Sequence, residues 1–210
     1  MTRVKVCGIT SERDAEACAT AGANAIGFVF AESPRRITPG RAREILRACE
    51  PFVVGVGVFL DSPAEEVRRT LEETGCGVAQ LHGEEPPDYI EALAPFPVVK
   101  AVRVKGELEA SSVEPYAGAA ALLLDTYVEG VPGGTGRRFD LALAAGLREA
   151  GWRVILAGGL TPENVGEAIA AVRPYAVDVS TGVEAAPGRK DAGKVARFMA
   201  AVRAADREVS

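Results

Sequence analysis

Apolar residues run along this chain in short blocks separated by polar, helix-forming stretches. The blocks at 4–9, 25–30, 52–60, 78–81, 98–104, 120–125, 154–157 and 176–180 read as strands. The stretches at 11–21 and 39–49 read as helices, the first with Ser11 as cap and Gly22 closing it. Asp61-Ser62-Pro63 opens a third helix in the order cap, then proline. Further helical signals lie at 86–93, at 140–150, from Thr161-Pro162 to 172, and at 190–205, with a weaker one at 107–116 interrupted by Pro115. Strands alternating with helices at roughly one pair per 25 residues predict a parallel sheet with crossover helices. The strand blocks are mostly apolar on both sides, as strands covered on both faces are. Eight such units close most economically into a (β/α)8 barrel, the TIM-barrel architecture. The alternative, an open doubly wound sheet, would want a G-x-G-x-x-G in the first βα turn, and none is there. With no linker and no low-complexity stretch, residues 1–210 are expected to form a single domain.

Composition narrows the function classes. A hydrophobic share of 48% beside 25% charged residues is that of a soluble globular protein. The net charge of −5 and the absence of a basic run argue against nucleic acid. No apolar leader precedes Val4, and the longest apolar run, 52–60, falls far short of the ~20 residues that span a bilayer. No membrane partner and a cytoplasmic location are therefore expected. Four widely spaced cysteines without a C-x-x-C fit neither a disulfide framework nor a zinc site. A single histidine excludes a His-rich metal site.

In barrels of this type the active site gathers at the carboxyl ends of the strands. Those positions hold Cys7, Arg35 and Arg36, Asp61, His82, Arg103, Asp125, Gly158-Gly159 and Ser180-Thr181-Gly182. The two glycines let backbone N–H groups approach an anion, and the helix opening at Thr161 presents its positive end. Ser180, Thr181 and Gly182 add donors from the next loop. Two adjacent loops of this kind favour a phosphate ester over simple tight turns. Asp125 follows an apolar run, where it is either a cap or a general acid of raised pKa. Cys7 is either core or a reactive thiol, since Lys5 shares its strand face and a nearby ammonium favours the thiolate. Cys18, Cys49 and Cys76 are read as structural. Lys5 itself needs a partner in a barrel interior. Strand eight adjoins strand one on closure, and its Asp178 alternates inward with Ser180, so a Lys5–Asp178 pair is expected. His82, sharing a face with Gln80, is either a structural or a catalytic histidine. Arg35 and Arg36 form either a solvated turn or a bidentate grip on a carboxylate.

Taken together, these runs resemble the phosphoribosylanthranilate isomerases of tryptophan biosynthesis. The resemblance rests on Lys5-Val6-Cys7-Gly8-Ile9-Thr10, Gly27-Phe28-Val29-Phe30, Ser33-Pro34-Arg35, Val56-Gly57-Val58-Phe59, Gln80-Leu81-His82-Gly83-Glu84 and Leu123-Leu124-Asp125. It continues through Gly133-Gly134-Thr135-Gly136, Ala157-Gly158-Gly159-Leu160, Pro162-Glu163-Asn164-Val165 and Asp178-Val179-Ser180-Thr181-Gly182-Val183-Glu184. The runs follow in order over essentially the whole chain. The resemblance implies an Amadori rearrangement of N-(5-phosphoribosyl)anthranilate without cofactor or metal. By the same implication Asp125 is the general acid, Cys7 the general base, and Arg35 the holder of the anthranilate carboxylate. His82 would contribute to substrate binding, with Gly158, Gly159, Ser180, Thr181 and Gly182 gripping phosphate and Gly134 in a loop that shields the site. Arg36 stands where the family often has an aromatic residue. The chain would act as a monomer or a homodimer. Two other phosphate-binding barrels fit less well. An indole-glycerol-phosphate synthase calls for a lysine at a strand mouth, whereas Lys5 and Lys100 lie earlier on their strands, and a pentose-phosphate epimerase calls for several metal-binding histidines. A non-catalytic sensor on this fold gives no reason for both Cys7 and Asp125.

Overall fold

The structure, a computed structural model, describes residues 1–49, 51–103, 110–125 and 141–209. Eight parallel strands close into a barrel in simple chain order. They are β1 (Arg3–Cys7), β2 (Ala25–Val29), β3 (Val54–Phe59), β4 (Val78–Leu81), β5 (Val98–Arg103), β6 (Ala121–Asp125), β7 (Val154–Ala157) and β8 (Ala176–Val179). Closure between β1 and β8 sets Lys5 beside Asp178 in register. The expected (β/α)8 barrel is the observed fold.

Two apolar layers follow from the strand alternation. One lies inside the barrel and contains Val99, Ala101, Ala121, Leu123, Ile155 and Ala176. The larger one lies between barrel and helices, with Val4, Val6, Leu122, Leu124, Val177 and Val179 on the outward strand faces. Each fully buried Leu or Val there contributes about 1.5–3 kcal/mol of burial free energy.

The helices that cover the strands are α1 (Glu12–Ala21), α2 (Pro39–Ala48), α3 (Ala64–Thr74), α4 (Tyr89–Ala92), α5 (Leu141–Glu149), α6 (Val165–Val172) and α7 (Ala192–Val209). α1 is capped as expected: Ser11 accepts from the Asp14 N–H, and Gly22 closes the helix in the left-handed region. α2 starts on Thr38, whose hydroxyl accepts from the Arg41 N–H, and it buries Ala42 and Ile45 three residues apart. α7 returns to the start of the chain, where Thr2 donates three hydrogen bonds to Asp206.

Several expected boundaries are corrected. The expected helix at 86–93 is the four-residue α4. The described part of 107–116 forms two 3₁₀ turns, Ala110–Ser112 and Glu114–Tyr116. α6 begins at Val165 rather than at Thr161. Residues 189–190 belong to a short hairpin, β9 (Glu184–Ala186) with β10 (Arg189–Lys190), before α7. Asp61 does not cap α3, which starts after Pro63 without a side-chain cap. Asp61 instead has φ 50° and accepts from the Glu84 N–H at 2.7 Å, tying the loop after β3 to the loop after β4.

Candidate active site

On the first wall of the mouth, Lys5 and Cys7 alternate inward from β1. Gly27 of β2 lies opposite Cys7 in register. A Cβ on Gly27 would stand 2.8 Å from Cys7 Sγ and 3.0 Å from Lys5 Nζ, so only glycine leaves space for both. Lys5 Nζ donates to Asp178 Oδ2 at 2.9 Å, which is the expected pair, with both side chains under a tenth exposed. Burial by itself would lower the Lys5 pKa, but Asp178 and then Cys7 attract the cation and the net direction is upward. The Lys5 charge favours the Cys7 thiolate, in the expected direction. Burial pushes its thiol up more strongly than the Lys5 charge pulls it down, so the net shift is upward. Lys5 thus opposes the upward push of burial on the thiol without cancelling it.

The second wall is built from β4 and β6. Asp125 ends β6 after the fully buried Leu122, Leu123 and Leu124. Its Oδ2 lies 3.1 Å from His82 Nε2, and His82 Nδ1 lies 3.1 Å from the amide nitrogen of Gln80. Arg103 at the end of β5 stands beside Asp125 in register. The loop holding His82 is clamped from below by Glu85, which is only 3% exposed. Glu85 accepts from the N–H of Gly83 with both oxygens, at 3.1 and 3.0 Å, and from the N–H of Asp61 at 3.0 Å. Lys100 Nζ completes the clamp, donating to Glu85 at 2.7 Å and to the Gly83 carbonyl at 2.6 Å. Burial opposes ionisation of Glu85, yet these donors hold its carboxyl below the usual range.

A third group joins the loops after β2, β7 and β8. Arg35 grips Glu184 in a bidentate pair, Nε to Oε1 at 2.8 Å and Nη2 to Oε2 at 2.7 Å, and also reaches Thr181 Oγ1 at 3.3 Å. The carboxylate held by Arg35 here is thus one of the chain's own. Lys190 donates to the same Glu184 at 2.9 Å. Burial would raise the Glu184 pKa, but Arg35 and Lys190 bring it down to about 2. Arg36 lies apart from this group, 3.7 Å from Glu32 with both side chains well exposed. Loops seven and eight meet closely: a Cβ on Gly182 would overlap the carbonyl oxygen of Leu160. Gly158 and Gly159 both have positive φ, 86° and 69°. The Thr161 N–H, expected to face an anion, is instead donated to Asn164 Oδ1 at 2.7 Å, and Asn164 Nδ2 donates to the Gly159 carbonyl at 2.9 Å. Asn164 therefore sets the shape of loop seven. Ser180 Oγ donates to the Cys7 carbonyl at 3.2 Å, joining loop eight to the first wall.

Among the predicted residues, Cys7, Arg35, His82, Asp125, Gly158, Gly159, Ser180, Thr181 and Gly182 all fall at the ends of barrel strands or in the loops that follow them. Gly134 and the loop 128–136 lie outside the described residues. Sequence reasoning gave no site role to Glu85, Glu184, Lys190 or Lys100. The usable signal was the two carboxylates a few residues past strand ends, at Gly83-Glu84-Glu85 and Gly182-Val183-Glu184, whereas Lys100 lies within β5 and Lys190 within β10. Among the described residues, no group of three or more His, Cys, Asp and Glu is placed to hold a metal ion, and no helix is long and apolar enough to cross a membrane.

A closed (β/α)8 barrel with an acid, a thiol, an imidazole and paired loops at the carboxyl ends of its strands has the layout of a barrel enzyme. Comparison with known proteins gives the family. The family model for N-(5′-phosphoribosyl)anthranilate isomerase matches residues 4–201, and the chain belongs to that family. An enzyme of that name from Pseudomonas aeruginosa is 50% identical over 208 residues, covering 98% of this chain and 97% of its own. The crystal structure of the Thermus thermophilus phosphoribosyl anthranilate isomerase is 48% identical, superposes with a TM-score of 0.85, and is matched over 97% of this chain and 99% of that one. Another isomerase structure, solved with reduced 1-(o-carboxyphenylamino)-1-deoxyribulose 5-phosphate, is 40% identical with a TM-score of 0.87 over 97% of this chain and 100% of that one.

Proposed function

We propose that the chain isomerises N-(5′-phosphoribosyl)anthranilate to 1-(2-carboxyphenylamino)-1-deoxyribulose 5-phosphate, a step of tryptophan biosynthesis, with Asp125 as acid and Cys7 as base. The observation that carries the assignment is the separation of two differently held groups at one mouth. Asp125 is bonded to His82, and Cys7 stands beside Lys5–Asp178. Pairs of titratable groups in unlike environments are how acid and base roles divide.

Protonated Asp125 gives its proton to the ribose ring oxygen as the C1–O bond breaks, and the anilino nitrogen lone pair forms the C1=N iminium. The Cys7 thiolate then removes the C2 proton, and that electron pair forms C1=C2 while the C=N pair returns to nitrogen. The resulting enolamine ketonises by moving the 2-hydroxyl proton to C1. The sum moves hydrogen from C2 to C1, so carbon one is reduced as carbon two is oxidised, and the proton left on Cys7 and the one lost by Asp125 are exchanged back through solvent. Lys5 keeps the thiolate within reach by opposing the effect of burial.

Around this pair, Arg35 meets the anthranilate carboxylate, oriented by Glu184. Gly158 and Gly159 of loop seven and Ser180, Thr181 and Gly182 of loop eight take the phosphate, and His82 borders the ribose. Gly134 is assigned to the shielding loop on the resemblance alone. These groups all come from one chain. Light scattering of the purified protein distinguishes a monomer from a homodimer.

Loss of phosphoribosylanthranilate fluorescence tests the reading directly. Cys7→Ala and Asp125→Ala should each lower kcat/KM by about 10²–10⁴-fold, the contribution of a positioned acid or base. Near-wild-type rates in either variant would remove that residue from its role.

A further inference from the structure

We propose that Gln80 is a positioning residue: by donating to His82 Nδ1 it fixes the imidazole as the Nε2–H tautomer, and thereby decides which oxygen of Asp125 carries the reactive proton. The kinetic part rests on the acid role assigned to Asp125, whereas the tautomer part stands on geometry alone.

Gln80 is 1% exposed and lies on β4 between Val58 of β3 and Val99 of β5 in register. Its amide nitrogen is 3.1 Å from His82 Nδ1, while its Oε1 is buried without a hydrogen-bond partner among the described residues. An amide has two orientations, and the opposite one would place Oε1 on Nδ1 and bury the two-donor NH2 group instead. A buried orphan donor is rarer than an under-satisfied carbonyl, which favours the orientation observed. With Nδ1 accepting, the neutral ring carries its proton on Nε2 and donates it to Asp125 Oδ2 at 3.1 Å. The opposite tautomer would set the Nε2 lone pair against that carboxylate.

Once Oδ2 accepts from His82, the acid form of Asp125 holds its proton on Oδ1. When that proton leaves for the substrate, the His82 bond becomes charge-assisted and strengthens, which stabilises the carboxylate left behind. No proton passes through His82 in this scheme. A wrong tautomer beside a catalytic group is costly in other enzymes for the same reason.

The chain has one histidine, so the imidazole ¹⁵N signals of the labelled full-length protein belong to His82 without further assignment. At a pH where the ring is neutral, the wild type should show Nε2 protonated and Nδ1 bare. Gln80→Glu supplies an acceptor in place of the donor and should move the proton to Nδ1. Its kcat should fall roughly ten- to a hundredfold, as changes in orienting partners do, with KM held within about twofold. Gln80→Met keeps the side-chain length, removes the donor and should give mixed tautomers with a smaller fall in kcat, which keeps the test readable if the buried glutamate disturbs folding. A wild-type ring protonated on Nδ1 would overturn the proposal, as would an unchanged tautomer in both variants or a changed tautomer with unchanged kcat. A purely structural Gln80 would lower stability without moving the ring proton. A wild-type protein with the Nε2–H spectrum but no isomerase activity would support the tautomer assignment while removing the isomerase reading.

Discussion

Of the three lysine–carboxylate pairs buried among the described residues, two have their lysine on a barrel strand, Lys5–Asp178 at 2.9 Å and Lys100–Glu85 at 2.7 Å. Their surroundings differ. Lys5–Asp178 sits inside the barrel, Asp178 Oδ1 has no hydrogen-bond partner among the described residues, and the ammonium is shared with a thiol. Lys100 alternates with the inward-facing Val99 and Ala101, which places it on the outer face of β5. There its partner Glu85 is engaged at both oxygens by backbone N–H groups. A buried charge pair is a poor source of stability unless every atom is satisfied. The outer pair meets that condition and fixes a loop; the inner pair does not, and its unused capacity lies next to Cys7.

Breaking the inner pair should have the largest effect. Lys5→Met removes the cation that opposes the upward shift of the Cys7 thiol and leaves Asp178 buried and unpaired. We expect kcat/KM to fall on the order of 10²-fold or more and stability to fall by about 3–5 kcal/mol. The sign in pH follows from the raised thiol. Both the thiolate and protonated Asp125 are required, so wild-type kcat/KM should be bell-shaped in pH, and the limb controlled by Cys7 should move to higher pH in Lys5→Met. Activity within about fivefold of wild type would end the distinction between the two pairs.

Lys100→Met should cost a similar ~3–5 kcal/mol, because it strands Glu85, but it should leave the pH position of the Cys7-controlled limb in place. Denaturant midpoints together with the pH profile separate the two variants. A shift of the limb on removing Lys100 would mean that the outer clamp also sets the thiol.

The same contrast explains how much was legible in the sequence. Strand runs such as Leu122-Leu123-Leu124 and their even spacing carry the barrel, because burial on both faces favours apolar residues at successive positions. Lys5–Asp178 was legible too, since alternation and closure between first and last strands suffice to bring the two together. The clamp was not. Glu85, Asp61 and Lys100 lie on three separate segments, and nothing local in any of them marks the others as partners. The expected helix at 86–93 was overextended for a related reason: that sector is filled by Glu85, Lys100 and Tyr116, whose hydroxyl donates to the Glu85 carbonyl at 3.1 Å. Arg35–Glu184 likewise joins loops 149 residues apart in the chain.

Glu184 offers a milder test of a satisfied pair. Its folded-state pKa of about 2 is below the ordinary glutamate value. Its contribution to stability is therefore fully present above about pH 4.3 and is lost as pH falls toward 2. The difference in urea midpoint between wild type and Glu184→Gln should narrow across that window. A gap that stays constant from pH 5 to 2 would mean that the carboxylate is not held as the Arg35 and Lys190 contacts require.

The smallest effect should come from the arginine next to the site. Arg36 faces solvent and approaches Glu32 only to 3.7 Å, with side-chain exposures of 61% and 96%. Pairs of that kind are worth about 0–1 kcal/mol. Arg36→Ala should leave stability within about 0.5 kcal/mol and KM for phosphoribosylanthranilate within about twofold. Arg35→Ala removes a guanidinium already oriented by Glu184, and KM should rise about tenfold or more, the worth of a charged hydrogen bond. If the order were reversed, with Arg36→Ala raising KM more, the substrate carboxylate would lie outside the Arg35–Glu184 group. Arg35 would then be one more internal clamp, closer in role to Lys100 than to Lys5.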